Sequence, residues 1–247
     1  MKIKFLINLL LLMPVKSLIL RKPIKAYHGG LELGIATLGT GILMDNTIAK
    51  SSLIKLKENS NELYKDGMKE VINNLVILGP IYYFGVDNFI ISDKISDVNF
   101  IETLDIVIIH SFGYYTAHRL MHRSDLFRKY HNFHHKFNET LTPSIGNAVS
   151  GSEFTFAYMT PFMIGACLVD PNINSFNLGI MIVAFMNLVI HTQELSDVNY
   201  NKLFVSPKTH LNHHQGKNKK STYSAPTFNL EYIYSELKII FSKLYDR

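Results

Sequence analysis

The sequence is short of the residues on which several kinds of chemistry depend. Of its 247 residues only Cys167 is a cysteine. One thiol excludes an internal disulfide, a thiolate-held zinc site and a cysteine-held iron–sulfur cluster. There is no tryptophan and no dense run of Lys or Arg, and the formal charge is a mild +5. That argues against a nucleic-acid partner. Glycine and proline, at 14 and 8, exclude collagen-like and proline-rich classes. Charged residues are 18% of the chain and hydrophobic residues 47%, the reverse of a disordered composition. No GxGxxG fingerprint, haem-attachment motif, repeat, low-complexity tract or interdomain linker is visible. Mean hydropathy is +0.09, apolar for a soluble protein and low for one made only of membrane spans.

Alternation with the two-residue period of a strand is scarce, and apolar runs of helical length predominate, so the fold is expected to be all-α. The run Phe5–Leu20 is flanked by Lys2 and Lys4 and by Arg21, Lys22 and Lys25. It reads as a membrane-surface helix or first anchor, since no small-residue cleavage site follows it. Further apolar segments occupy 31–48, 71–91, 99–117, 154–170 and 175–192. Phe154–Val169 and Ser175–Ile190 hold no charge but are a little shorter than the roughly 20 residues of an upright span. Asp87, Glu102 and Asp105 interrupt earlier segments, so a soluble helical bundle stays open as an alternative. The charges between segments favour a membrane. Lys50, Lys55, Lys57, Lys65 and Lys69 fall in 49–70, Arg119, Arg123, Arg128, Lys129 and Lys136 in 118–136, and Lys202, Lys208, Lys217, Lys219 and Lys220 in the C-terminal part. The short turn 92–98 carries Asp93, Lys94 and Asp97, and 170–174 only Asp170. With 71–91/99–117 and 154–170/175–192 as hairpins, the basic stretches share one side, which is the cytosolic one by the positive-inside rule. The expected architecture is therefore a polytopic transmembrane helical bundle with a cytosolic, histidine-rich metal-binding cap.

Histidine is what the chain does have: 11 residues, eight of them in three tight boxes. These are His118-Arg-Leu-Met-His122, His131-Asn-Phe-His134-His135 and His210-Leu-Asn-His213-His214. On a helix, positions i and i+4 lie about 40° apart, so His118 and His122 share a face. In the later boxes the first histidine pairs with both i+3 and i+4, and the three rings fan over about 100°. One helical turn can then serve two metal ions side by side. Imidazole suits iron, zinc and copper. Eight imidazoles are too many for one ion of four to six ligands. His191 closes the 175–192 segment, level with the boxes in this topology, and is a candidate ninth ligand; an interfacial histidine is the alternative. His110 lies about 80° off the His118 face and reads as packing, and His28 as surface. Glu153 opens the segment after the second box, either as a first-turn acid facing a helix N-terminus or as a carboxylate that orients a ligating imidazole.

At these residues the chain resembles the fatty acid hydroxylase/sterol desaturase superfamily of membrane histidine-box di-iron oxygenases. The stretch Gly113-Tyr-Tyr-Thr-Ala-His118 through His135, with eight residues between His122 and His131, is similar to that family's first two boxes. Acyl-CoA desaturases have a longer first box and a longer gap, so the hydroxylase/sterol branch is the better match. Tyr223, in Ser-Thr-Tyr-Ser-Ala-Pro-Thr-Phe, resembles the segment after the family's last box. The likeness covers about 110–235 and none of 1–70. The apolar run near the N-terminus gives an anchor or membrane-associated segment over 1–70, and the likeness implies a di-iron domain over 71–247. It also implies nine metal-ligating histidines, with Glu153 and Tyr223 behind them, holding two iron ions (Fe2+/Fe3+). The implied reaction is O2-dependent hydroxylation or desaturation of a sterol or fatty acyl lipid taken from the bilayer. Electrons would come from an external donor such as a cytochrome b5-type protein, and the location would be the endoplasmic reticulum membrane, boxes to the cytosol. Where the family has His-Pro-x-Glu, this chain has Ser150-Gly-Ser-Glu153: the acid matches and the imidazole is missing. A metal-binding membrane protein without oxygenase activity, either a transporter or a decayed scaffold, is the competing reading. Ionisable residues inside the spans would favour transport, and Asp87, Glu102, Asp105 and His110 are the candidates for it.

Overall fold

The structure is a computed structural model. It describes residues 23–92, 97–138, 140–216, 222–224 and 226–245; the run Phe5–Leu20, read as an anchor, lies outside the described residues. The helices are α1 (Pro23–Thr47), α2 (Lys50–Ile72), α3 (Gly79–Phe89), α4 (Phe100–Arg123), α5 (Asp125–His131), α6 (Thr160–Val169), α7 (Ile173–Ile190), α8 (Pro207–His214) and α9 (Leu230–Tyr245). The expected all-α class holds. Among the described residues the extended pairing is one antiparallel bridge, Phe204 with Phe228.

Local chemistry sets the helix ends. Asn99 accepts from the N–H of Ile101 at 2.9 Å to start α4, and Asn172 from that of Ser175 at 3.0 Å to start α7. Ser206 accepts from Thr209 N–H at 3.1 Å, with Pro207 next in line, to start α8. Each side-chain oxygen satisfies a donor the helix itself leaves over. Asp170 ends α6 in the left-handed conformation at φ 45°. Glu102 accepts from Asn172 N and Nδ2 at 2.9 and 2.8 Å, so the acid in the 99–117 segment ties the start of α4 to the start of α7.

Segment 49–70, read from its lysines as a basic connection, is instead helix α2. Its charges pair along the surface, Lys65 with Glu62 and Lys69 with Asp66, while Leu53, Leu56 and Val71 face inward. Hydropathy passes over such a helix because half of it is solvated. A π-helical segment, Asn73–Leu78, joins α2 to α3, and a second, Phe154–Met159, joins the single turn Gly151–Glu153 to α6. Gly34 of α1 lies so close to the first π segment that a Cβ there would sit 1.8 Å from the Leu75 carbonyl oxygen. Two helical stretches are long and apolar enough to cross a membrane, Gly151–Val169 and Ile173–Ile190. The other segments expected to span do not reach that measure among the described residues.

Thr140–Val149 is irregular yet buried throughout. A buried loop must find partners for its backbone, and two helices provide them. Asn74 donates to the carbonyls of Asn147 and Val149 at 3.3 and 2.8 Å, and Asp45 accepts from the N–H and hydroxyl of Ser144. This loop, with Leu56, Tyr114 and Phe137, forms the core under the histidine boxes.

Candidate metal centre

The first box stays on one helix: His118 and His122 are on the last turns of α4. The second does not. α5 ends at His131, and His134 opens a 3-10 turn, His134–Phe137. The third lies wholly on α8. Together with His191 they form two adjacent groups. His118, His122, His131, His135 and His213 make one; His134, His191, His210 and His214 make the other. Within each group the ligand atoms lie within 4.8 Å of one another. Each later box divides between the groups: His131 and His135 join the first and His134 the second, while His213 joins the first and His210 and His214 the second. The groups touch, with the His135 and His214 ring centroids 4.7 Å apart.

Hydrogen bonds fix which ring nitrogen carries the proton. His118 donates Nδ1–H to the Tyr223 carbonyl at 2.8 Å. His131 donates Nδ1–H to Glu153 Oε1 at 2.6 Å, and His191 to the Asn187 carbonyl at 2.7 Å. In these three rings Nε2 is left as a bare lone pair. Yet the Nε2 atoms of His118 and His131 stand 3.0 Å apart, two acceptors facing one another with no proton to share. A cation between them resolves the clash. The distances agree: two nitrogens about 2 Å from one ion, at angles of about 90–110°, lie about 2.9–3.4 Å apart. The Nε2 contacts are 3.1 Å for His122–His118, 2.9 Å for His135–His131, 2.9 Å for His210–His191, 3.1 Å for His214–His210 and 3.4 Å for His191–His134. His213 is buried with neither ring nitrogen hydrogen-bonded among the described residues, while its ring stands 4.8 Å from that of His118 and 4.6 Å from that of His122. The residues present fit two metal ions.

Burial, reinforced by neighbouring rings, keeps these imidazoles neutral and ready to ligate. His118 is pulled down to about 4. His131, His134, His210, His213 and His214 are also held well below the ordinary range, by burial first and then by the imidazoles around them.

Tyr223 touches the first group twice, through its carbonyl on His118 and through its ring, 5.7 Å from that of His122. Arg123 donates to its hydroxyl at 3.4 Å. Ser150 caps the turn that carries Glu153, accepting from Glu153 N–H at 3.2 Å and donating to the Tyr130 carbonyl at 2.8 Å. His110 is buried against Phe162, ring centroids 4.2 Å apart, and His28 is exposed; neither joins a group. Sequence reasoning missed Asn187 and Asn147. Their signal was a polar amide inside an otherwise apolar stretch. Asn187 donates Nδ2–H to Asn147 Oδ1 at 3.1 Å.

A half-open apolar cavity lies among α1, α3, α6 and α7. Leu33, Val86, Phe162, Phe176 and Val183 line it, and Asn147, Tyr158 and Asn187 supply polar groups. Asn187 is the residue that holds His191. Tyr158 packs edge-on against Tyr114, which packs on His118. The lining therefore meets His191 through Asn187 and is linked to His118 through Tyr158 and Tyr114, and no histidine lines the cavity itself.

The described residues combine helical architecture with two adjacent, largely buried groups of imidazoles that could each hold a metal ion. The fatty acid hydroxylase family model matches residues 103–234, more than half of the chain and all nine clustered histidines. The chain belongs to that family, and hydroxylation makes it an oxidoreductase by family. No curated protein matches it in sequence, and no solved structure matches it.

Proposed function

We propose that this chain is a membrane di-iron oxidoreductase that hydroxylates or desaturates a lipid, sterol or fatty acyl, using O2. The observation that carries the reading is the pair of buried imidazole groups, five rings and four, each enough for one ion. Iron held there would supply the oxidising power against an unactivated C–H bond that no side chain has. Everything else falls to the chain's own residues. Glu153, the Tyr223 carbonyl and the Asn187 carbonyl hold Nδ1–H of His131, His118 and His191, which aims Nε2 of each ring into its group and raises its basicity. Phe137, Leu141 and Ile145, all fully buried, keep water away from beneath the groups. The apolar cavity receives the hydrocarbon part of the lipid and holds it on the side of the groups where Asn187 meets His191.

On this reading Gly151–Val169 and Ile173–Ile190 cross the membrane as a hairpin within a polytopic bundle, the boxes face the cytosol, and the location is the endoplasmic reticulum. An external donor, of the cytochrome b5 type, supplies electrons. The test is turnover. Purified protein loaded with Fe(II), given O2 and a reducing partner, should form a hydroxylated or desaturated lipid, and His131→Gln should abolish product while still inserting in membranes. A fully loaded protein that consumes no O2 above background with sterols or acyl lipids would refute the oxygenase and leave a metal-binding scaffold.

A further inference from the structure

The cavity is mostly apolar, and Asn147 and Asn187 bring amides into its lining beside His191. There the Asn147 amide is used on one side: its Oδ1 accepts from Asn187, while its Nδ2 is buried with no hydrogen-bond partner among the described residues. Of the other polar groups of the lining, the Tyr158 hydroxyl is also buried without a hydrogen-bond partner among the described residues, while two more are engaged. Thr37 donates to the Leu33 carbonyl at 2.8 Å, and the Tyr82 hydroxyl bonds that of Thr155 at 2.8 Å. A buried amide donor left without an acceptor is costly to keep, and two helices and a fixed loop hold this one in place. Asn74 bonds the Asn147 carbonyl, and Gly146 lies against the His191 ring so tightly that a Cβ would meet its Cγ at 2.5 Å. The donor thus sits one residue from a side chain of the candidate metal centre, in the lining of a mostly apolar cavity.

We propose that Asn147 is a specificity-determining residue whose Nδ2–H binds the oxygen function of an amphiphilic lipid, a hydroxyl or carbonyl oxygen, whose hydrocarbon body fills the cavity. The proposal rests on the lipid-oxidising reading and narrows its substrate to lipids that already carry an oxygen near the reacting end. A plain hydrocarbon would bury the amide unpaired, whereas an oxygenated one pairs it. That difference is worth about tenfold in affinity.

The experiment measures displacement of a fluorescent acyl chain from the metal-loaded full-length protein in detergent micelles. Two matched pairs compete for the cavity, hexadecanol against hexadecane and cholesterol against cholestane. The oxygenated member should displace the probe about tenfold better in the pair that fits, and the pair that fits separates an acyl from a sterol body. The double variant Asn147→Leu/Asn187→Leu removes the donor and its partner together, so neither is left unpaired. It should retain its metal and its alkane binding and lose the preference. Equal displacement by both members in the wild type, or a preference that survives in the double variant, overturns the proposal. A wild type that shows the preference but no O2-dependent turnover would sink the oxygenase reading and leave this assignment standing. Lipid turnover without the preference would do the reverse.

Discussion

The behaviour of single residues follows from who holds which proton. Glu153 has one task in this geometry, accepting Nδ1–H of His131 at 2.6 Å from full burial. Glu153→Gln keeps the shape and weakens the acceptor, so metal at the His118 group should bind about 10–100-fold more weakly, read by competition with a chelator; unchanged affinity would remove Glu153 from the site. The imidazoles also predict a pH dependence. Unfolded, they protonate near 6.5, whereas His118 in the fold resists protonation down to about 4. Between those values the unfolded chain binds more protons, so stability falls as pH falls. In the metal-free protein the contribution of His118 to stability should be complete above about pH 6.5 and be lost progressively toward about pH 4. Denaturation at stepped pH values in detergent would show this, and stability that rose on acidification would contradict it. At this scale much was legible in the sequence. Histidine spacing shows that each later box can serve two ions, but which ring goes to which group comes only from the fold. The carbonyls of Tyr223 and Asn187 were not legible as ring-holders, because a backbone acceptor has no residue type to betray it.

Elements were legible where hydropathy is one-sided and obscure where it is not. Ile173–Ile190 is apolar on nearly every face, and its bounds lie within two residues of the stretch read from composition. α2 was passed over because its lysines and acids pair on the outer face. The second box looked like one helical turn, yet the helix ends at His131 and a 3-10 turn takes over at His134. Three consecutive residues without apolar periodicity give no sign of such a change. The π segments were equally silent, since each widens one turn without changing composition. Their packing is testable through Gly34, where any side chain must displace the Leu75 carbonyl from 1.8 Å. Gly34→Ala should destabilise the protein by about 3 kcal/mol, measured by denaturation in detergent; a variant as stable as the wild type would show that α1 does not approach the π segment so closely.

For the whole molecule, the order of elements explains why three distant boxes meet. α4 delivers the first box at its C-terminal end, the 3-10 turn folds the second back beneath it, and the apolar pair Gly151–Val169 and Ile173–Ile190 runs away and returns, bringing His191 up to the same level. α8 then lays the third box across both groups, which is why His213 faces one and His214 the other. The nine histidines thus form two candidate metal sites that share α8. This arrangement is tested most directly by counting metal in the purified protein and in two single variants. The wild type should carry two ions per chain. His213→Ala should weaken retention in the His118 group alone and His214→Ala in the His134 group alone, so each variant should fall toward one ion. A wild type that never holds more than one ion, or two variants that both keep two, would contradict it.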